Sequence, residues 1–143
     1  MDKYKVIKFL NNGSYGKIYL IEHRNTHEQY AMKTIKMDGI SRYQKQNILT
    51  ELKILLTNTC EYMLKCYDLF ICKHRICIVT EYIDGGDLSQ FIKNNKTIKI
   101  EKIIEIFWNI CKGINSMHEN NILHRDIKPA NILIKKNGDI KIC

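Results

Sequence analysis

The spacing of apolar residues shifts from mainly alternating to mainly helical at a glycine pair, and that shift restricts the fold more than any other single feature. Before Gly85-Gly86 most segments alternate. Tyr4 to Leu10 and Lys17 to Ile21 flank the turn Asn11-Asn12-Gly13-Ser14-Tyr15-Gly16, which predicts a hairpin with an enlarged tip, and Gln29 to Ile35 predicts a third strand. Ser41 stands as an N-cap ahead of Ile48, Leu52, Leu55 and Leu56, so one amphipathic helix is expected over 41–57. Tyr67 to Cys72 and Arg75 to Glu81 add two strands around a Lys73-His74 turn. Beyond the glycine pair, a candidate hinge, the period becomes helical. Leu88, Phe91 and Ile92 mark a short helix, and Ile100, Ile103, Phe107, Ile110, Ile114 and Met117 fall on one face of a long one. Asn131 to Ile134 and Asp139 to Ile142 then flank Lys135-Lys136-Asn137-Gly138, where Asn-Gly signals a hairpin.

With 143 residues, 45% of them hydrophobic and 27% charged, the chain can bury one moderate core. Its apolar runs, such as Ile76 to Val79 and Ile103 to Ile106, fall far short of the roughly 18–20 residues a bilayer span requires, so no membrane association is expected. Met1-Asp2-Lys3-Tyr4 lacks the basic-then-apolar order of a secretory leader, which predicts a cytoplasmic or nuclear location. Six cysteines (Cys60, Cys66, Cys72, Cys77, Cys111 and Cys143) show no CxxC spacing and are expected to be reduced thiols. The formal charge of +8 comes from scattered lysines that are not interleaved with aromatics, so no nucleic-acid partner is expected.

Three features carry chemistry. Gly13-Ser14-Tyr15-Gly16 lets backbone N–H groups approach a polyphosphate, although a glycine turn by itself is usually an ordinary surface turn. Lys33, after Tyr30-Ala31-Met32, has the charge to neutralise phosphate oxygens, and Glu51 on the helix has the charge to orient its ammonium; a lone Lys and Glu are more often solvated. The third is His124-Arg125-Asp126-Ile127-Lys128-Pro129-Ala130-Asn131, between the long helix and the last hairpin. Its six fixed positions arise by chance on the order of once in 10^7 start sites, which sets aside a featureless polar loop.

With that stretch the whole chain resembles the eukaryotic protein kinases of Ser/Thr type, and the weaker features lie in the order of that family. The resemblance implies an α+β, kinase-like two-lobed fold. A five-stranded antiparallel N-lobe with one helix would cover 1–82, and an incomplete, mainly helical C-lobe would cover 83–143, ending at the catalytic-loop hairpin. It implies ATP and Mg2+ as cofactors and a protein bearing a Ser/Thr hydroxyl as substrate. Asp126 matches the aspartate that accepts the hydroxyl proton, Lys128 the lysine beside the transferred phosphate, and Asn131 a magnesium ligand. Lys33 matches the lysine on the α- and β-phosphates and Glu51 its partner. Leu10, Asn11, Gly13 and Gly16 fall in the nucleotide-binding set. Thr80 looks like the gatekeeper, with the backbones of Glu81 and Ile83 facing the adenine edge, Ile18, Ala31 and Leu133 sandwiching the ring, and Asp87 meeting the ribose. Gly85-Gly86-Asp87-Leu88 and Ile122 to Lys128 are most similar to NIMA-related kinases, with calcium/calmodulin-dependent relatives behind.

Two departures from the family pattern stand out. Asn11 occupies the place of the first loop glycine, where its tolerance of positive φ would preserve the loop shape. Ile140 to Cys143 reaches the point where the family continues into Asp-Phe-Gly, whose aspartate binds magnesium, and the given sequence stops there. Two expectations follow: a Ser/Thr kinase represented by a truncated domain, or a catalytically inactive nucleotide- or partner-binding pseudokinase fragment whose uncovered C-lobe faces dock another protein.

Overall fold

A computed structural model describes residues 3–13, 16–39, 41–57 and 60–143. It comprises two compact units, Met1–Thr57 with Lys65–Tyr82 and Asn58–Leu64 with Ile83–Cys143. The segment Asn58–Leu64, which the alternation would keep in the first half, belongs to the second unit.

In the first unit, β1 (Tyr4–Gly13), β2 (Gly16–His23), β3 (Gln29–Lys36), β4 (Cys66–Cys72) and β5 (Arg75–Glu81) form an antiparallel sheet in the order β1-β2-β3-β5-β4. Period-2 alternation gives each strand two faces. One face gathers Ile21, Met32, Cys77 and Val79. The other gathers Ile35 and Ile78, which pack against Ile48 and Leu52 of α1 (Arg42–Thr57). Ser41 and Gln44 cap this helix reciprocally: the Gln44 N–H donates to Ser41 Oγ at 3.2 Å and the Ser41 N–H donates to Gln44 Oε1 at 2.8 Å. Leu56, counted on the packed face by spacing, is 58% exposed, because 48, 52 and 55 keep the i, i+4, i+7 line and 56 turns off it. The β4–β5 turn is tight, with Lys73 and His74 both at positive φ, 46° and 57°.

The second unit holds α2 (Leu88–Asn94), α3 (Ile100–Glu119), a one-turn 3-10 helix at Pro129–Asn131, and a hairpin of β6 (Ile132–Ile134) and β7 (Ile140–Ile142). Of the six positions that spacing predicts on the packed face of α3, Met117 is buried and Ile110 and Ile114 are half-buried, but Ile100, Ile103 and Phe107 are exposed, and the buried residues are Ile106, Gly113 and Met117. The physical reason is Gly113. A Cβ there would stand 2.8 Å from Ile142 Cδ1 and 3.1 Å from Tyr62 Cβ, so the missing side chain is what seats α3 on β7. Asn58–Leu64 joins the same core through a parallel bridge from Met63 to Ile142 and the Ile142 N–H to Tyr62 C=O bond of 2.7 Å.

The expected hinge pair has a steric role. A Cβ on Gly85 would stand 2.2 Å from the Ile134 carbonyl oxygen, and Gly86, at φ +77°, accepts the Ile134 N–H at 2.9 Å. Among the described residues no helix is long and apolar enough to cross a membrane.

Gly16 makes a similar demand in the first unit, where a Cβ would fall 2.0 Å from the Thr34 carbonyl oxygen, while at Gly13 the nearest contact would be an ordinary 3.5 Å. Gly16→Ala should therefore destabilise by about 1–3 kcal/mol and Gly13→Ala by much less; urea denaturation midpoints of the two variants measure the difference.

Candidate functional site

Each unit gathers part of the predicted residue set. In the first, the register of the sheet lines up two rows: Ile18 opposite Lys33 opposite Ile78, and Leu20 opposite Ala31 opposite Thr80. Directly opposed residues share a face, so Ile18, Lys33, Ala31 and Thr80 all project to the side that receives α1. Glu51 lies between Ile48 and Leu52 on the packed side of α1, and those contacts hold its carboxylate over β3. The Lys33 ammonium donates to Glu51 Oε1 at 2.5 Å, with the lysine side chain 21% exposed. An amphipathic helix and a central strand thus fix one ammonium on the shielded side of a sheet.

On the strands that lead to the hairpin tip, Asn11 departs from the expectation. Ser14 and Tyr15 lie outside the described residues. Asn11 has no positive φ; it is a strand residue opposite Ile18, and its Oδ1 accepts the N–H of Asn12 at 2.8 Å. Gly16 is required by the close approach of β3, a requirement separate from any phosphate. Leu10 is half-buried next to a register shift between Phe9 and Asn11. At the other end of the sheet the Glu81 N–H donates to the Lys65 carbonyl at 3.0 Å, and Glu81 Oε1 accepts the Lys65 N–H at 3.0 Å.

In the second unit, Asp126, Lys128 and Asn131 converge. Lys128 Nζ donates to Asp126 Oδ2 at 2.7 Å and Oδ1 at 3.0 Å, and Asn131 Nδ2 donates to Asp126 Oδ2 at 2.9 Å and to its carbonyl at 2.8 Å. These bonds, Lys128 first and Asn131 second, hold the Asp126 carboxyl below the usual carboxylate range although it is exposed. The 3-10 turn explains the convergence: starting at Pro129, it brings residue 131 back over residue 126. His124 Nδ1 accepts the Asp126 N–H at 3.3 Å, and its Nε2 lies 3.0 Å from the Cys143 carbonyl, which together fit the neutral Nε2–H tautomer. Arg125, at φ +63°, takes the left-handed conformation that turns the loop. Spacing alone does not reveal the supporting parts played by His124 and Arg125, although both lie within the motif.

Asp87 is 8% exposed and caps α2, its Oδ1 accepting the Gln90 N–H at 2.9 Å, so one oxygen is engaged within the fold. Leu133, half-buried on β6, bridges Asp87, and the Ile83 side chain is buried. Among the described residues no three His, Cys, Asp or Glu side chains gather as a metal site. Asn131 nonetheless fits a magnesium ligand in donor type: with Nδ2 engaged on Asp126, its amide oxygen is the hard donor that Mg2+ takes.

The protein kinase domain pattern matches residues 4–143. A mitogen-activated protein kinase kinase, SIPKK, of Nicotiana tabacum is 36% identical over 97% of this chain and 39% of its own length. Mitogen-activated protein kinase kinase 1c of Physcomitrium patens is 36% identical over 96% of this chain and 40% of its own. The serine/threonine-protein kinase RIM15 of Saccharomyces cerevisiae is 32% identical over 97% of this chain and 8% of its own. The chain spans about two fifths of the length of the first two relatives.

The Asp126 environment gives a direct test by titration. Lys128→Met should raise the Asp126 carboxyl toward the ordinary range more than Asn131→Ala does, followed by carbon-13 NMR of the side-chain carboxyl. With a depressed pKa, the stabilisation from these bonds is present above the ordinary carboxylate pKa and disappears as pH falls through the lowered one.

Proposed function

The chain belongs to the protein kinase family, and from that premise we propose that it transfers the γ-phosphoryl group of ATP to serine or threonine hydroxyls of proteins. The observation that carries this reading is the double hold of Lys128 and Asn131 on Asp126. A carboxylate kept ionised in this way is a weak base and a good hydrogen-bond acceptor. It orients the substrate hydroxyl and takes its proton late, which suits a loose transition state with little bond formation to the nucleophile. The hydroxyl oxygen bonds to the γ-phosphorus as the bond to the β-bridging oxygen breaks, ADP leaves, and the proton passes to Asp126 Oδ.

Lys128, whose ammonium lies beside that carboxylate, is the cation for the transferred phosphoryl oxygens. Lys33, oriented by Glu51, is the cation for the α- and β-phosphates. Ile18, Ala31 and Thr80, on the same sheet face as Lys33, supply apolar and small side chains for a purine. Asn131 would hold magnesium from this chain through its amide oxygen, and the ion would supply positive charge against the triphosphate. The lysine at position 128 favours Ser/Thr over Tyr acceptors, in line with the serine/threonine name of the yeast relative.

Transfer of labelled phosphate from ATP to a serine-rich acceptor protein tests the assignment. Asp126→Asn should lower turnover by about 10²–10⁴-fold and leave ATP affinity within about twofold; loss of nucleotide binding would indicate a structural role instead. Lys33→Met should lower turnover by orders of magnitude as well, and near-normal turnover would remove the lysine from the machinery.

A further inference from the structure

One group of cations is left without a task by the sites above. It lies at one end of the sheet of the first unit, on the face that carries Met32, Cys77 and Val79, away from α1. Lys36 at the end of β3 stands directly opposite Arg75 at the start of β5. Lys17 on β2 is opposite Thr34, which sets it diagonal to Lys36 on the same face, roughly 7–8 Å away. Lys73 sits in the adjoining β4–β5 turn, which is tied to the end of β3 by the Met37 N–H to His74 carbonyl bond of 2.9 Å.

Like charges directly opposed on neighbouring strands destabilise a sheet. Five lysines elsewhere have carboxylate partners, Lys3 with Asp68, Lys33 with Glu51, Lys102 with Glu105, Lys128 with Asp126 and Lys136 with Asp84, whereas others such as Lys5 and Lys8 stand singly; what sets this corner apart is that its cations are adjacent. Among the described residues Lys17, Lys36, Lys73 and Arg75 form no ion pair. Lys17, Lys36 and Lys73 are exposed and Arg75 is half-buried, so the charges are presented to solvent on a rigid ladder.

We propose that this corner of the sheet docks an acidic stretch of a partner protein, with carboxylates against Lys36 and Arg75 and with Lys17 and Lys73 flanking them. The dimensions agree. Strands lie about 4.8 Å apart, so the row across β2, β3 and β5 is about 10 Å long, and an extended segment presents same-side residues about 6.8 Å apart. Two acidic residues at i and i+2 therefore reach two of the cations at once. The aromatic rings of this face pack on one another, Tyr4 stacked with Phe70 at 6.2 Å and edge-on to Tyr30 at 6.2 Å, and do not alternate with the cations as a base-stacking surface would. That favours a polypeptide over a nucleic acid.

Fluorescence anisotropy of a labelled eight-residue peptide alternating glutamate and serine measures the interaction. Saturable binding is expected at about 50 mM salt, weakening several-fold by about 200 mM as screening shortens the range of the charges. Lys36→Glu with Arg75→Glu should weaken it by about tenfold or more, while Lys96→Glu with Lys99→Glu, an equal change of net charge at exposed positions of the second unit, should leave it within about twofold. Should circular dichroism show the first pair unfolded, Lys36→Gln with Lys73→Gln should still weaken binding about threefold. No saturable binding, equal loss in both charge-reversed pairs, or an unchanged glutamine pair would each overturn the proposal. Tighter binding of a single-stranded oligonucleotide of equal charge through Lys36 and Arg75 would overturn it as well.

Discussion

Packing of Ile48 and Leu52 on Ile35 and Ile78 is the contact from which the chemistry of the first unit follows. Lys33 and Glu51 are 18 residues apart, on a strand and a helix that no local hydrogen bond joins. Each buried aliphatic side chain contributes about 1.5–3 kcal/mol, far more than a partly exposed ion pair, so the apolar stripe determines where the helix lies and the carboxylate is carried along. The polar pair is thus a consequence of the hydrophobic one. It is effective because Lys33 occupies a central strand, with β2 and β5 on either side to limit its motion.

The second unit solves a comparable problem by short-range geometry. Asp126, Lys128 and Asn131 fall within one loop, and a left-handed Arg125 followed by a proline-started 3-10 turn folds that loop onto itself. Here the backbone creates the site and hydrophobic docking only anchors its ends, through β7 on α3 and β6 beside α2. The contrast explains why the loop motif was the most informative part of the sequence. Its chemistry is local, so spacing along the chain and proximity in space nearly coincide.

Strand alternation made all five strands of the sheet legible, with β5 running over Arg75–Glu81 as the pattern predicts. Ser41 is legible as a cap, whereas the return bond from its N–H to Gln44 Oε1 is visible only in the structure. The failure on α3 has a specific cause. Counting apolar side chains gives no weight to glycine, yet Gly113 is the residue by which that helix meets β7, so the count held over Ile110, Ile114 and Met117 and failed in the first half, where Ile100, Ile103 and Phe107 face solvent. Counting likewise reads Gly85-Gly86 only as a candidate joint, and the close fit of Gly85 to the Ile134 carbonyl is visible in the structure alone. Asp87 shows a different limit: nucleotide contact and helix capping ask for the same residue type, and only geometry reveals that Oδ1 serves the cap.

Gly113 also bears on the order in which the chain acquires structure. A mid-helix glycine forfeits about 1 kcal/mol relative to alanine, so the long helix is weakened in isolation and regains that loss only on meeting Ile142. Because synthesis proceeds from the N-terminus, the helix leaves the ribosome before its partner strand exists. During that interval it is a nascent, fraying element, and its completion waits on the emergence of β7.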